Sequence, residues 1–235
     1  MNDQYIVRIE NLEKKYTRKR ALNGVTISLE KGKILGLMGP NGSGKTTLLK
    51  ILAGLRKPSG GTVTIGGKPL GTETKAMVSF LPDRNILYRW MSAEDAIRFY
   101  ADYFRDFDTE KAFDMLSFMN LERHEKIQTM SKGMVEKMNL TLVFSRNAKL
   151  YLLDEPLGGV DPVARDRIVS AIVKTYSENS SIIVSTHLVN DVENMFDDVC
   201  FIHEGTCLLQ GSAESLRAER KMSINQLYVQ LFQDK

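Results

Sequence analysis

The segment from Gly39 to Thr46 has the residue types and the spacing needed to bind phosphate. It reads Gly-Pro-Asn-Gly-Ser-Gly-Lys-Thr and matches G-x-x-x-x-G-K-[ST], in which glycines let backbone N–H groups turn toward phosphate oxygens. The N-terminus of a following helix adds a partial positive charge. We expect Lys45 to reach the outer phosphates of a nucleotide and the Thr46 hydroxyl to bind Mg²⁺. The predicted phosphate loop consists of Gly39, Pro40, Asn41, Gly42, Ser43, Gly44, Lys45, Thr46 and Thr47.

A second motif is an apolar run that ends in two acids. Residues 150–155 read Leu-Tyr-Leu-Leu-Asp-Glu, which predicts a buried strand with a carboxylate at the sheet edge where nucleotides bind in open α/β folds. We expect Asp154 to orient the Mg²⁺ shell and Glu155 to polarise an attacking water molecule. A solvated strand end is the alternative, and the phosphate loop in the same chain argues against it.

His187 follows a third apolar run, at residues 181–185. A single histidine is usually structural, but here three strand ends converge on one predicted site. We therefore expect His187 to donate a hydrogen bond to the γ-phosphate and so to report its presence.

The elements that must position these residues follow from hydrophobic periodicity. Alternating or continuous apolar runs before residue 85 predict strands at 5–9, 25–29, 34–38, 62–65 and 77–81, and the pattern after the phosphate loop predicts a helix from Thr46 to Leu55. Further strands are predicted at 150–153, 181–185, 199–202 and 207–209. Asp161-Pro162 has the residue types of a helix start, and residues 212–232 predict a pair of helices.

The composition changes between residues 85 and 145, where helical patterns predominate. Ser92 and Asp95 have the spacing of a capping box, and residues 134–144 predict another helix. The sequence thus predicts an α/β nucleotide-binding core at 1–84 and 146–211, a helical subdomain at 85–145 and a helical tail at 212–235. Within the tail, Leu216, Ile224, Leu227, Val229 and Leu231 are expected to pack against the core.

Composition excludes several function classes. The chain has 235 residues, with 32 Lys plus Arg against 29 Asp plus Glu and a net charge of +3, which is too weakly basic to favour nucleic acid as a partner.

Cys200 and Cys207 lack zinc-site spacing and are expected to be buried, reduced thiols. The N-terminus lacks a signal-peptide pattern, and no apolar run approaches the roughly 20 residues of a membrane helix. Any membrane role is therefore expected to depend on a partner.

In order and spacing, these motifs resemble the ATP-binding subunit of an ABC transporter over about residues 5–211. The resemblance implies a P-loop NTPase fold, an α/β core with a mixed sheet, an antiparallel β subdomain and an inserted α-helical subdomain. It implies ATP hydrolysis with Mg²⁺, and a second cassette as partner in a homodimer or heterodimer. It also implies a multi-span membrane subunit that holds the chain at the cytoplasmic face of the cell membrane.

The resemblance assigns further roles residue by residue. Tyr16 matches the aromatic residue that stacks on adenine, the alternative being an ordinary exposed aromatic of a hairpin. Residues 157–161 match the loop that contacts the second cassette, with Asp161 at its end. Glu155 matches the catalytic carboxylate, and His187 matches the switch histidine.

Two segments depart from the family pattern. The family signature is Leu-Ser-Gly-Gly-Gln, whereas residues 130–134 read Met-Ser-Lys-Gly-Met. By the resemblance, Ser131 and Gly133 hold the γ-phosphate of ATP bound to the opposite subunit, although Ser131 also suits a helix cap. Lys132 either adds a cation near that phosphate or points to solvent. Asp83 stands where the family has glutamine; its carboxylate can still bind Mg²⁺, but it is shorter and charged.

The resemblance thus implies ATP hydrolysis coupled to transport by head-to-tail dimerisation. The Ser-Lys-Gly-Met segment resembles exporters with separate membrane subunits, and Tyr88 and Trp90 are either contacts for such a subunit or part of the helical core. The main alternative is a non-transport ABC ATPase acting on nucleic acid or ribosomes. A P-loop kinase or GTPase would leave the signature-like segment unexplained, and a non-hydrolysing binding module would not need both Lys45 and Glu155.

Overall fold

Two β-sheets organise the computed structural model, which describes residues 4–175 and 180–233. A four-stranded sheet has the order β2-β1-β4-β5, and a six-stranded sheet has the order β10-β9-β3-β8-β7-β6. The elements in chain order are β1 (Tyr5–Tyr16), β2 (Lys19–Glu30), β3 (Ile34–Met38), α1 (Lys45–Leu52), β4 (Gly60–Ile65), β5 (Lys68–Pro69), α2 (Thr72–Met77), β6 (Val78–Leu81), α3 (Ala93–Tyr103), α4 (Thr109–Phe118), α5 (Lys132–Phe144), β7 (Leu150–Asp154), α6 (Pro162–Thr175), β8 (Ser181–Thr186), β9 (Asp198–His203), β10 (Thr206–Ser212), α7 (Ala213–Arg220) and α8 (Ile224–Phe232).

The larger sheet brings the predicted site residues to one edge. β3 pairs in parallel with β8 and β9, and β7 pairs in parallel with β6 and β8. All residues of β3, β7 and β8 are buried, as expected for strands that are covered on both faces. Because parallel strands end at a common edge, the phosphate loop, Asp154, Glu155 and His187 meet there.

The smaller sheet is built on a hairpin that is longer than predicted. The sequence indicates strands at 5–9 and 25–29, but the pairing runs from Tyr5 opposite Glu30 to Tyr16 opposite Lys19. The outer part escaped prediction because it is polar and contains register shifts. Charged contacts replace apolar alternation there, since the Glu13 carboxylate lies 2.9 Å from Nζ of Lys15 on the same strand and 3.6 Å from a guanidinium nitrogen of Arg20 on β2.

Helix boundaries follow local capping. The predicted capping box of α3 is confirmed: Asp95 N donates to Ser92 Oγ at 3.1 Å and Ser92 N donates to Asp95 Oδ2 at 2.8 Å.

The predicted length of α1 was too long, because the helix ends at Leu52 and Leu55 is 57% exposed. Met77 ends α2 rather than opening β6; α2 is short and lacks the apolar periodicity that would have predicted it.

The two faces of the larger sheet have separate hydrophobic cores. One packs the antiparallel sheet and α1 against the sheet, and the other packs α3–α6 and the C-terminal helices against it. Both predicted C-terminal helices are present, and Leu216, Ile224 and Leu227 are buried. Val229 is 49% exposed, so its predicted packing is wrong: it lies on the outer face of α8. Within residues 4–175 and 180–233, no helix is long and apolar enough to cross a bilayer.

Candidate functional site

The phosphate loop joins β3 to α1, and two of its glycines illustrate different reasons for the residue type. Gly44 has a φ of +113°, a conformation that side chains rarely tolerate. Gly39 has an ordinary φ, but a Cβ there would lie 2.1 Å from the carbonyl oxygen of Ile202. The loop therefore packs closely against β9 and the β9–β10 turn at the sheet edge.

Lys45, Glu155 and His187 form a continuous row of contacting side chains beside this loop. Lys45 is 5% exposed, and its Nζ donates to the carbonyl oxygens of Gly39 at 2.7 Å and Pro40 at 3.2 Å. The same Nζ lies 3.3 Å from Glu155 Oε1, while Glu155 Oε2 lies 2.8 Å from His187 Nδ1. Both carboxylate oxygens of Glu155 thus face groups that could instead contact a phosphate.

Glu155 itself adopts an uncommon backbone conformation, with a φ of 52°. Such conformations cost about 1–3 kcal/mol for a residue other than glycine and persist where the surroundings enforce them. Here the Glu155 N–H donates to Ser185 Oγ at 3.1 Å, and Gly158 N donates to the Glu155 carbonyl at 3.0 Å. The strand end therefore turns sharply and directs the carboxylate toward Lys45.

Asp154 is fully buried between two hydroxyl groups. Thr46 Oγ1 donates to Asp154 Oδ1 at 3.0 Å, and Ser185 Oγ donates to the same oxygen at 2.7 Å. Burial raises the pKa of Asp154 above its ordinary value, and these two hydrogen bonds oppose that rise. Among the described residues Asp154 Oδ2 has no hydrogen-bond partner, which is costly unless a donor or cation completes the site.

The residues around Asp154 fit Mg²⁺ chemically. Thr46 and Asp83 offer further oxygen atoms; both line the cavity beside the loop, and the negative charge of Asp83 contributes to the raised pKa of Asp154. Mg²⁺ prefers hard oxygen ligands of this kind and commonly keeps several waters and substrate phosphate oxygens as well. The orphaned buried oxygen and this donor set are what such an ion needs.

The cavity beside the phosphate loop has a volume of about 300 Å³. Tyr16 and Asp83 line it together with residues of the loop, and the Tyr16 side chain is available because that residue is 46% exposed. Lys14 Nζ lies 5.1 Å from the centre of the Tyr16 ring. An aromatic face, a phosphate loop and acidic groups therefore share one cleft.

Ser131, Gly133 and Asp161 are not among the residues that line this cavity. Ser131 caps α5 by accepting a hydrogen bond from Met134 N at 3.3 Å, and Asp161 caps α6 by accepting one from Ala164 N at 3.0 Å. Gly133 packs against Asp161, the cap of α6, since a Cβ at Gly133 would lie 3.5 Å from Asp161 Oδ2. They form a second cluster in which two helices begin.

Lys132 does not simply extend into solvent. Its Nζ occupies the space beside Gly159, where a Cβ would lie 2.1 Å away. Gly159 has a φ of +70° and belongs to the loop that follows Glu155. The ammonium group therefore lies over the backbone of that loop.

The sequence did not single out Ser185, although this residue connects the two acids through its hydrogen bonds to Asp154 and Glu155. The available signal was a small polar residue at the end of an apolar run, one position before Thr186 and two before His187. Lys19 also lines the cavity and is not among the predicted site residues.

Comparison with known proteins agrees with this geometry. A model of the ABC transporter family matches residues 22–158. The linearmycin resistance ATP-binding protein LnrL of Bacillus subtilis (strain 168) is 29% identical over 219 residues, which cover 90% of this chain and 70% of that protein. The lantibiotic transport ATP-binding protein SrtF of Streptococcus pyogenes is 28% identical over 224 residues, covering 94% and 97%. A solved structure of an ATP-binding subunit of an ABC transporter superimposes with a TM-score of 0.86 at 27% identity, covering 96% of this chain and 99% of that one.

Proposed function

The chain belongs to the ABC transporter family as an ATP-binding subunit, and on that premise we propose which residues bind and hydrolyse ATP and how hydrolysis drives export. The observation that carries the proposal is the Lys45–Glu155–His187 row beside the phosphate loop. It brings a phosphate-binding cation, a general base and a histidine into direct contact.

ATP binding begins with an exchange of partners for Lys45. Its Nζ now donates to carbonyl oxygens of its own loop and contacts Glu155; the β- and γ-phosphates replace these partners while the loop N–H groups hold phosphate oxygens. Adenine stacks on Tyr16 at the other end of the cavity. Thr46, Asp154 and Asp83 hold Mg²⁺, which supplies charge neutralisation on the phosphates when bound.

Hydrolysis uses the carboxylate that this exchange releases. Once Lys45 turns to phosphate, Glu155 Oε1 is free to accept a proton from a water molecule in line with the γ-phosphate. His187 keeps its contact with Oε2, and under this proposal it also donates to the γ-phosphate. Ser185 maintains the alignment by holding both the Glu155 backbone and Asp154.

Dimerisation adds residues of a second cassette to the ATP site. Ser131, Gly133 and Asp161 lie apart from the cavity of their own chain, which supports a head-to-tail arrangement in which they contact ATP bound to the second cassette. Under this proposal residues 85–145, which hold α3–α5, act as a helical subdomain between the nucleotide and the membrane partner. Residues 1–84 and 146–211 form the nucleotide-binding core, followed by the tail at 212–235.

Transport is proposed to be export through a separate membrane subunit at the cytoplasmic face of the membrane. The relatives named for lantibiotic transport and linearmycin resistance support antibiotic-like cargo. The exposure of two aromatic residues supports docking of that subunit: Tyr88 and Trp90 are 58% and 62% exposed, so the alternative that they are core residues is wrong. We call Tyr88, Trp90, Phe99 and Tyr103 the aromatic patch, since neighbouring rings lie 6.0–6.5 Å apart.

Replacement of Glu155 by Gln tests the catalytic assignment. The variant keeps the shape of the side chain but cannot accept the proton, so we expect hydrolysis to fall by about two to four orders of magnitude while ATP binding persists. An ATP-bound dimer should then accumulate. Light scattering coupled to size exclusion, with and without Mg-ATP, measures the dimer, and phosphate release measures hydrolysis.

The matched control is Glu110→Gln, on the exposed surface of α4, which should hydrolyse ATP like the original protein. Undiminished hydrolysis in Glu155→Gln would refute the role of Glu155. Capture of the Glu155→Gln protein from detergent-solubilised membranes with Mg-ATP then tests transport: a stoichiometric multi-span membrane protein supports it, whereas ribosomes or nucleic acid alone would favour the non-transport alternative.

A further inference from the structure

The β9–β10 hairpin holds a pair of thiols that nucleotide chemistry does not use. Cys200 lies on β9 and Cys207 on β10, and their Sγ atoms are 3.2 Å apart. Cys200 is fully buried with the core beneath the sheet, and Cys207 packs half-buried at its margin. They are the only two cysteines in the sequence.

The turn of this hairpin supports the phosphate loop. Gly205 N donates to the carbonyl oxygen of Ser43 at 2.9 Å, and Asn23 N donates to the carbonyl oxygen of Gly205 at 2.7 Å. The carbonyl of Ile202 fills the space where Gly39 would carry a Cβ. The hairpin that carries both cysteines is therefore in direct contact with the phosphate loop.

The two thiols are chemically unequal. The hydrogen bond between them lowers the pKa of Cys207, and the same hydrogen bond together with burial raises the pKa of Cys200. The thiolate is the reactive form of cysteine. Cys207 is half-buried whereas Cys200 is fully buried, so Cys207 is the thiol that a small reagent reaches first, and Cys200 lies within 3.2 Å to react with the product.

We propose that Cys200 and Cys207 form an oxidisable dithiol whose disulfide weakens ATP binding by displacing the turn that holds the phosphate loop. The oxidant is a peroxide, which is small enough for a half-buried thiol. The inference depends on the proposed function only for its readout, because the thiol geometry is independent of hydrolysis.

The reaction balances in two steps. The Cys207 thiolate attacks one oxygen of hydrogen peroxide; the O–O bond breaks, and hydroxide leaves and takes up the proton that Cys207 released, giving water and a sulfenic acid. The Cys200 thiol then attacks the Cys207 sulfur; the S–O bond breaks, and the hydroxyl group leaves with the Cys200 proton as a second water. Two thiols lose two electrons in total, and one peroxide gains them.

Closing the bond requires movement. A disulfide bond is about 2.05 Å long, so the sulfur atoms must approach by about an ångström from their present 3.2 Å. Cys207 is separated from Gly205 by Thr206 alone, and the shift strains the hydrogen bond from Gly205 to Ser43. We expect the Kd for ATP to rise about threefold or more, as for loss of one neutral hydrogen bond.

The test treats the full chain with hydrogen peroxide and measures intact mass, disulfide-linked peptides and the Kd of a fluorescent ATP analogue. The expected result is loss of two hydrogens, a Cys200–Cys207 cross-link, a raised Kd, and reversal of all three by dithiothreitol. Cys207→Ser should form no cross-link and keep its Kd under peroxide. Cys200→Ala should stop at a sulfenic acid on Cys207, detectable with a dimedone probe.

Two results would overturn the proposal: oxidation without the intramolecular cross-link, or a cross-linked protein whose Kd for ATP is unchanged. The original protein compared before and after dithiothreitol gives the answer even if Cys200→Ala does not fold. Failure of the reduced protein to bind ATP would instead count against the proposed function, so the two failures are distinguishable.

Discussion

At the residue scale, adjacent acids acquire different chemistry from their surroundings. Asp154 ends a buried strand and has a raised pKa because of burial, with two hydroxyl groups donating to it. Glu155 is the next residue, but its left-handed backbone directs its carboxylate to Lys45 and His187. The Asp154 carboxylate is suited to binding a cation and the Glu155 carboxylate to accepting a proton, although both residues are acids of the same formal charge.

Glu136 is a second acid with an unusual environment. It lies on α5, one turn beyond Lys132, and burial raises its pKa to about 7, opposed by the charge of Lys132 and a hydrogen bond with Asn139. The folded state therefore binds a proton more tightly than the unfolded state does. By linkage, Glu136 lowers the free energy of unfolding progressively as the pH rises from about 4.5 to 7.

Replacement of Glu136 by Gln should remove this pH-dependent cost. Relative to the original protein, we expect the free energy of unfolding of the variant to increase by about 2 kcal/mol more at pH 8.5 than at pH 5, since one pKa unit corresponds to about 1.4 kcal/mol. Urea unfolding at the two pH values measures this difference. A difference independent of pH, like that expected for the exposed control Glu110→Gln, would contradict the assignment.

At the element scale, the C-terminal helices brace the segment that follows His187. Residues 189–195 form two short 3-10 turns. The Glu193 carboxylate accepts a hydrogen bond from Asn225 N in the first turn of α8, and its backbone carbonyl accepts one from the Arg217 guanidinium on α7. The C-terminal helices therefore pack on the core and also hold the segment that follows His187.

Glu193→Ala should weaken this brace. Loss of a charged acceptor at a helix N-terminus is expected to cost about 1–2 kcal/mol of stability. Because this segment directly follows His187, kcat for ATP should also fall while the Kd for ATP stays unchanged. Urea unfolding and steady-state hydrolysis measure the two effects. Glu219→Ala, on the exposed face of α7, is the matched control, and an unchanged kcat in Glu193→Ala would separate the tail from catalysis.

At the scale of the whole molecule, the proposed nucleotide cavity and the aromatic patch lie on different parts of the chain. The cavity is built by the sheet edge and the β1–β2 hairpin, whereas the patch lies on α3 and the segment before it. Tyr103 is 75% exposed and Phe99 44%. Clustered exposed aromatic rings are typical of contact surfaces rather than of ordinary protein exterior.

The double variant Tyr88→Ala with Trp90→Ala should lose the membrane subunit while retaining ATP binding, because aromatic anchors contribute much of the energy of such contacts. Capture from solubilised membranes, quantified by mass spectrometry, should fall at least tenfold. Leu55→Ala, which removes an exposed apolar side chain next to α1, should capture as well as the original protein. Full capture by the double variant would exclude the patch as the docking surface.

The α/β class, the phosphate loop and the two acids were readable from sequence because each depends on local signals. Apolar runs define buried strands, glycine spacing defines the loop, and a serine followed by an acid three residues later defines the start of α3. Cross-strand pairing is not local, so the polar half of the β1–β2 hairpin and the short helix α2 escaped prediction.

Tertiary structure alone decided which atoms meet. The sequence placed Lys45, Glu155 and His187 at separate strand ends, but their contact depends on the order of β3, β8 and β7 in the sheet. The same holds for Ser185 between the two acids and for the Cys200–Cys207 contact across a hairpin with a register shift. Local propensity is encoded over a few residues, whereas these distances result from the packing of strands, some of them far apart in the chain. The packing therefore determines which side-chain atoms can react with or bind one another.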